Sequence, residues 1–349
     1  MNPRIRKILL WILFPTFYLI SFLVFAYLTF PFNQVRDRIV VAFAEDQRKT
    51  GGDSRLEIDR ISSYWFSGVE AHGVRLISAP EVKKDGTKGP PSEVEIESLT
   101  ARISILPLLI GRKTVNFSAE LLGGTLEGTT SKDGEDRTFS VELENLAVGR
   151  IAPLVKMIGL PLTGNLGGSV EMTLPEGKLS KATGGMDLTL ADLSVGDGKT
   201  KIRDTIALPR MVVGELKLTC DISEGRVKVT KFAAGGYDLD FTADGKIKLR
   251  DKLAESQADL YLRFKFSDKY KAKDEKTQAL FGAPGSKAPA LFEIADPRIR
   301  RSKRPDGFYS WRAWGLLRTL KFDPAPTGAS KNRGLRKKPK SPKVRGFMK

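Results

Sequence analysis

The chain has 349 residues, 58 Lys and Arg against 41 Asp and Glu, one Cys and one His. A lone Cys forms no internal disulfide, and one Cys with one His builds neither a Cys/His zinc site nor any site needing two histidines. At 41% apolar residues a sizeable core is within reach, and the formal charge of +17 is localised: residues 298–349 hold 17 Lys and Arg against only Asp306 and Asp323.

Met1–Lys7 carries Arg4, Arg6 and Lys7, after which Ile8–Phe30 runs 23 residues without a charge. As a helix that is about 34 Å, against a bilayer hydrocarbon core of about 30 Å. The run predicts a transmembrane anchor over residues 8–30 that sets Ile8, Trp11, Phe14, Tyr18, Phe22, Phe25 and Phe30 against lipid or its interface, with Pro15 tolerated inside it. A cleaved leader needs a short apolar region with a small-x-small site close behind. Here Ala42-Phe43-Ala44 follows the apolar end by 14 residues, beyond Arg36, Asp37 and Arg38, so an uncleaved anchor is expected. The cations ahead of the run place residues 1–7 in the cytoplasm and the bulk of the chain in a bacterial periplasm. That topology argues against nucleic acid as a partner.

Val35, Ile39 and Phe43 recur at helical spacing after Pro31, predicting a juxtamembrane helix within residues 31–50. From Leu56 the period becomes two: Leu56/Ile58, Val94/Ile96, Ile103/Ile105, Phe139/Val141/Leu143, Val170/Met172/Leu174 and Met186/Leu188/Leu190 alternate with polar partners. Leu216/Leu218/Cys220/Ile222, Leu239/Phe241, Ile247/Leu249 and Leu260/Leu262/Phe264/Phe266 continue the series. Such alternation buries one face and solvates the other, which is the pattern of antiparallel strands. Lys132-Asp133-Gly134, Pro175-Glu176-Gly177, Ser223-Glu224-Gly225 and Asp244-Gly245 are the expected turns between about a dozen strands.

Ile151, Leu154, Val155 and Ile158 form one helical stripe, expected to cover an end or edge of the sheet, and Asp274–Phe281 is a second helix candidate. A loose repeat of Gly followed by alternating apolar positions recurs from Gly124, Gly164, Gly185, Gly214 and Gly245. Together these predict a mainly β fold: an elongated, repeat-like antiparallel sheet over residues 51–326 with one or two short helices.

Candidate chemistry is sparse. Gly196-Asp197-Gly198-Lys199-Thr200 imitates the end of a phosphate loop, but position 193 is Leu and no helix pattern follows, so it reads as a turn. Asp238 and Asp240 share a strand face with no His or Cys beside them and read as solvated carboxylates. His72 reads as a surface or hydrogen-bonded histidine rather than a general base, and Cys220 as a buried small hydrophobe continuing Leu216 and Leu218. No catalytic, cofactor or metal residue is assigned, and no enzyme activity is expected. Residues 327–349 hold nine Lys and Arg and no acid, and read as a disordered tail. Within it Arg336, Lys337, Lys338, Lys340, Lys343 and Arg345 are candidates for contact with an anionic lipid surface or an acidic protein partner, the alternative being a solvated tail with no dedicated partner.

Several segments resemble the protein N family of bacterial type II secretion systems. They are the anchor ending Leu28-Thr29-Phe30-Pro31, the stretch Tyr64–Val74 with Trp65, Gly68 and Gly73, and the passage Leu154–Gly177 with Gly164, Gly167 and Gly168. Asp306-Gly307-Phe308-Tyr309 with Gly315-Leu316-Leu317 resembles the closing strand pair of that family. The resemblance spans about residues 1–325 and implies an inner-membrane-anchored, non-catalytic accessory component in contact with other secretion subunits. AsmA-like envelope proteins share the Trp and Gly features, which implies as the alternative an apolar groove that binds or bridges lipid.

Overall fold

The computed structural model describes residues 3–50, 54–65, 67–78, 92–152, 154, 155, 159–202, 206, 207, 209–286 and 290–326. Two helices open the chain, α1 (Pro3–Leu28) and α2 (Phe32–Thr50). The Pro31 ring disfavours helical backbone at Phe30, and the Pro31 carbonyl then accepts from the N–H groups of Gln34 and Val35 to start α2. α1 runs through Pro15 without a break. Among the described residues no helix is long and apolar enough to cross a membrane. The side chains at positions 3–10, 12, 23 and 26 of α1 lie outside the described ones.

The sheet begins with β1 (Arg55–Tyr64), β2 (Gly68–Ser78), β3 (Ser92–Ile103), β4 (Lys113–Leu121), β5 (Gly124–Asp133), β6 (Asp136–Ala147), β7 (Leu162–Leu174) and β8 (Thr183–Val195). A separate small hairpin follows, β9 (Lys201–Ile202) with β10 (Ile206–Ala207). The sheet resumes with β11 (Met211–Ser223), β12 (Arg226–Ala234), β13 (Leu239–Lys248), β14 (Gln257–Phe266), β15 (Tyr309–Leu316) and β16 (Lys321–Pro324). These 14 strands pair antiparallel in chain order, with β1 and β16 at the two edges. α2 packs against β1 and so flanks the first edge, where Phe32 joins Leu56, Ile58, Ile61, Ala71 and Val74.

Alternation sets the register. One row crosses the sheet as Val69, Ala101, Phe117, Gly128, Val141, Val170, Met186 and Cys220. It continues through Val229, Gly245, Leu260 and Ala313 to Phe322 on β16. A slip of one residue in any pair would turn that strand's apolar set to the other face.

The insertions after β6 and after β14 fall at the same end of the strands. The second carries α4 (Asp268–Lys271), α5 (Glu275–Phe281), α6 (Leu291–Ala295) and α7 (Pro297–Ser302). That end also holds the irregularities in register beside Asn145, Gly164 and Gly214, which bend and twist strands locally. Val148, Leu162, Val213, Phe266, Tyr270, Phe281 and Tyr309 meet there in the largest core. A smaller core of Ala182, Cys220, Ile222, Val227 and Leu249 closes the opposite end of the central strands.

Several expectations need correction. Ile105 is not in a strand: it opens α3 (Ile105–Leu109), because Pro107 lacks the N–H that a ladder requires. Asp244-Gly245 is not a turn but lies inside β13, where the position a Gly245 Cβ would take is 2.7 Å from Leu260 Cα. The short helices outnumber the one or two expected. The Ile151–Ile158 stripe lies at an end of the sheet, one of the two places expected for it, and joins the core there through Ile151, Leu154 and Val155; Ile158 lies outside the described residues. Asp274–Phe281 is helical as expected, fixed by a capping box in which Asp274 accepts from Thr277 N–H at 2.7 Å and Thr277 Oγ1 accepts from Asp274 N–H at 3.0 Å.

Candidate functional site

The β1–β2 hairpin joins the helical N-terminus to the sheet. Tyr64 pairs with Gly68, and between them Trp65 adopts a left-handed backbone (φ 51°) that leaves its indole 65% exposed. Gly68 is required by space: a Cβ would sit 2.7 Å from the Tyr64 carbonyl and 2.8 Å from that of Ala101. Gly73 has φ 62°, and a Cβ there would run into the Asp59 carboxylate. The Tyr27 and Ser63 hydroxyls share a hydrogen bond of 2.7 Å, which ties the last turn of α1 to this hairpin. Tyr27, Phe30, Phe32, Trp65, Ile103 and Val115 line an apolar groove of about 560 Å³ at the junction.

Of the other residues singled out, Trp11, Phe14, Tyr18, Phe22, Phe25 and Phe30 are all exposed along α1 and its end. The side chain of Ile8 lies outside the described residues, as do Arg336, Lys337, Lys338, Lys340, Lys343 and Arg345. Gly164, Gly167 and Gly168 let β7 approach its neighbours. A Cβ on Gly164 (φ 138°) would lie 2.8 Å from the Ala191 carbonyl oxygen, and one on Gly168 (φ 130°) would collide with that of Asp187. Gly167 is less tight, at 3.3 Å from the Leu143 carbonyl. These three glycines serve strand packing.

Asp238 departs from expectation. It is not a solvated carboxylate; its Oδ2 accepts from Val212 N–H at 2.8 Å and pins the β12–β13 turn to β11. Asp240 Oδ1 accepts from Gly236 N–H at 3.3 Å. Asp197 closes a turn by accepting from the N–H groups of Lys199 and Thr200, as its sequence context predicts. His72 lies half-exposed on β2, 3.5 Å from Glu70. Cys220 is buried, and burial pushes its thiol pKa up. Among the described residues no group of three His, Cys, Asp or Glu side chains converges as a metal would require.

The most constrained polar cluster lies under the helical end. The Glu293 carboxylate, 4% exposed, accepts from Lys303 Nζ and Tyr309 Oη, each at 2.6 Å. Burial opposes its ionisation, but the bonds from Lys303 and Tyr309 outweigh that and hold its pKa below the usual range. Tyr270, fully buried, donates to the Pro209 carbonyl at 2.7 Å and fastens α4 to the segment before β11. Both phenols are pushed upward, chiefly by burial. The arrangement fixes helices to sheet. Sequence reasoning missed this cluster, since its members are distant in the chain, and missed the Tyr27–Ser63 link for the same reason.

The apolar face is the remaining large feature. Where helices do not cover it, Phe117, Val141, Val170, Met186, Leu188 and Leu218 are each only partly buried. Side chains of this kind make a surface that suits apolar matter. Compared with protein-family models, curated proteins and solved structures, the chain matches none.

Proposed function

We propose that the protein is an inner-membrane-anchored accessory component of a type II secretion apparatus, with its β domain in the periplasm and no catalytic role. The observation that carries this is the junction: a helix rich in exposed aromatic residues is hydrogen-bonded through Tyr27 directly to the first hairpin of a single long sheet. Such a joint couples the sheet to α1, and through it to whatever surface α1 occupies. The charge-free run Ile8–Phe30 supports a bilayer as that surface, with Arg4, Arg6 and Lys7 on the cytoplasmic side. The choice of apparatus rests on the resemblance at Trp65, Gly68 and Gly164–Gly168. In vivo crosslinking from exposed sites on the sheet, followed by identification of the adducts, tests it. Recovery of secretion subunits supports the proposal, and deletion of the gene with no loss of secreted protein counts against it.

The continuous apolar row favours a second reading, in which the face takes up lipid acyl chains as AsmA-like proteins do. Native mass spectrometry of detergent-purified protein separates the two: bound phospholipid at fixed stoichiometry favours the groove, and subunits without lipid favour the scaffold.

A further inference from the structure

The tip of the β3–β4 connection is built the wrong way round for a protein in water. Ile105, Leu106, Leu108, Leu109 and Ile110 are all exposed, Leu106 by 79% and Leu109 by 77%, and no residue of α3 is buried. Five large aliphatic side chains left uncovered in six positions mark an interaction site rather than ordinary surface.

Three observations name the occupant. In a sequential antiparallel sheet the β1–β2 and β3–β4 connections lie at one end, so α3 stands on the side where Tyr27 ties α1 to Ser63. The apolar surface is continuous between them, because Trp65 and Ile103 line both the groove shared with Tyr27 and Phe30 and the adjoining one shared with Ile105 and Leu106. The charges complete the pattern. Between Glu97 and Glu120 there is no acidic residue, while Arg102, Arg112 and Lys113 flank the apolar run. Arg112 is bound to Asp133 at 2.9 Å, and among the described residues Arg102 and Lys113 have no ion pair. An apolar tip ringed by cations matches acyl chains beneath a layer of anionic phosphates.

We propose that α3 and Trp65 form a second membrane contact, dipping into the interfacial layer of the bilayer that holds α1. This rests on the anchoring of α1 proposed above, and adds that the sheet is held at two points. A single helix leaves a domain free to swivel; a second contact on the next hairpin fixes which way the sheet faces.

The test uses the full chain with Leu109→Cys carrying an environment-sensitive fluorophore, reconstituted in vesicles of phosphatidylethanolamine and phosphatidylglycerol. Buried Cys220 stays in place, and the parent chain reports any labelling there. Ile294→Cys is the control, since Ile294 is 61% exposed on α6 at the opposite end of the sheet. A shallow spin-labelled lipid should quench the Leu109 label by roughly half, because interfacial apolar side chains sit about 5–10 Å into the headgroup–acyl boundary. The Ile294 label should be unaffected. Co-flotation of the chain with vesicles while the Leu109 label escapes quenching overturns the second contact and leaves the anchor standing. A chain that does not float with vesicles overturns both. Ready disulfide crosslinking between two Leu109→Cys chains, with no lipid quenching, assigns the tip to a second copy instead and also overturns the proposal.

Discussion

Tyr309 on β15 donates its phenolic proton to the carboxylate of Glu293 on α6 across 2.6 Å. The bond links the last long strand to the helical cover of the main core. Lys303 shares the same oxygen, and together the two donors favour the charged carboxylate against the opposing effect of burial.

A carboxyl whose pKa is lowered by folding contributes stability above its unfolded value, about 4.3 for Glu, and that contribution is lost as pH falls through the folded value. Unfolding of the helical end followed by near-ultraviolet dichroism should therefore show stability falling as pH drops below about 4. Glu293→Gln should flatten that dependence. Tyr309→Phe should cost about 1.5–3 kcal/mol at neutral pH, the range for hydrogen bonds to charged groups. A pH profile identical in Glu293→Gln and the parent would remove Glu293 from the account.

Gly164 and Gly198 both have positive φ, but only Gly164 is hemmed in; nothing lies within 4 Å of a Cβ on Gly198. Valine at either position incurs backbone strain of about 1–3 kcal/mol. Gly164→Val adds a clash with the Ala191 carbonyl oxygen and Leu193 Cα, for a further cost of about 1–3 kcal/mol. Urea unfolding in detergent should place Gly164→Val clearly below Gly198→Val. Equal midpoints would mean that β7 and β8 do not pack as described.

Removing Thr327–Lys349 deletes nine positive charges and little apolar surface, so unfolding of the sheet should not change. Applied to a chain beginning at Pro31, the deletion should weaken sedimentation with acidic vesicles. At about 1 kcal/mol per basic residue near an anionic surface, three engaged residues amount to roughly a hundredfold. Added salt should weaken the intact tail in the same direction. Binding insensitive to both changes would leave the tail without a lipid role.

A reporter active only in the periplasm, fused after Arg48 at the end of α2, should be active, and the mature chain should retain Met1–Phe30. Isolation of a mature form starting at Glu45 would show a cleaved leader instead.

Sequence and structure agree where a signal is local and periodic. Met186, Leu188 and Leu190 alternate, and they lie on one face of β8. They part where one residue type serves two purposes. Gly245 resembles a turn residue but is a strand position with no room for a side chain, and Ile105 keeps the two-residue period one step past the point where Pro107 ends the strand. The run Ile105–Ile110, free of charge around a proline, was a readable sign of an exposed tip. The Glu293–Tyr309 and Tyr27–Ser63 bonds left no such sign, because nothing in a single sequence pairs residues 16 or 36 positions apart.

The order of the sheet also bears on how it is made. Each strand hydrogen-bonds to the sheet strand before it in the chain, so a polypeptide emerging N-terminus first meets every partner it needs already in place. Assembly can advance one hairpin at a time, behind α1, with little loop entropy to overcome at most steps. The exception is the helical end, where Val148 and Leu162 share a core with Phe281 and Tyr309. That core waits for the last third of the chain. A ribosome stalled or a chain truncated before Leu260 would leave a growing edge of paired strands with their apolar end bare, the state most open to a chaperone or a protease.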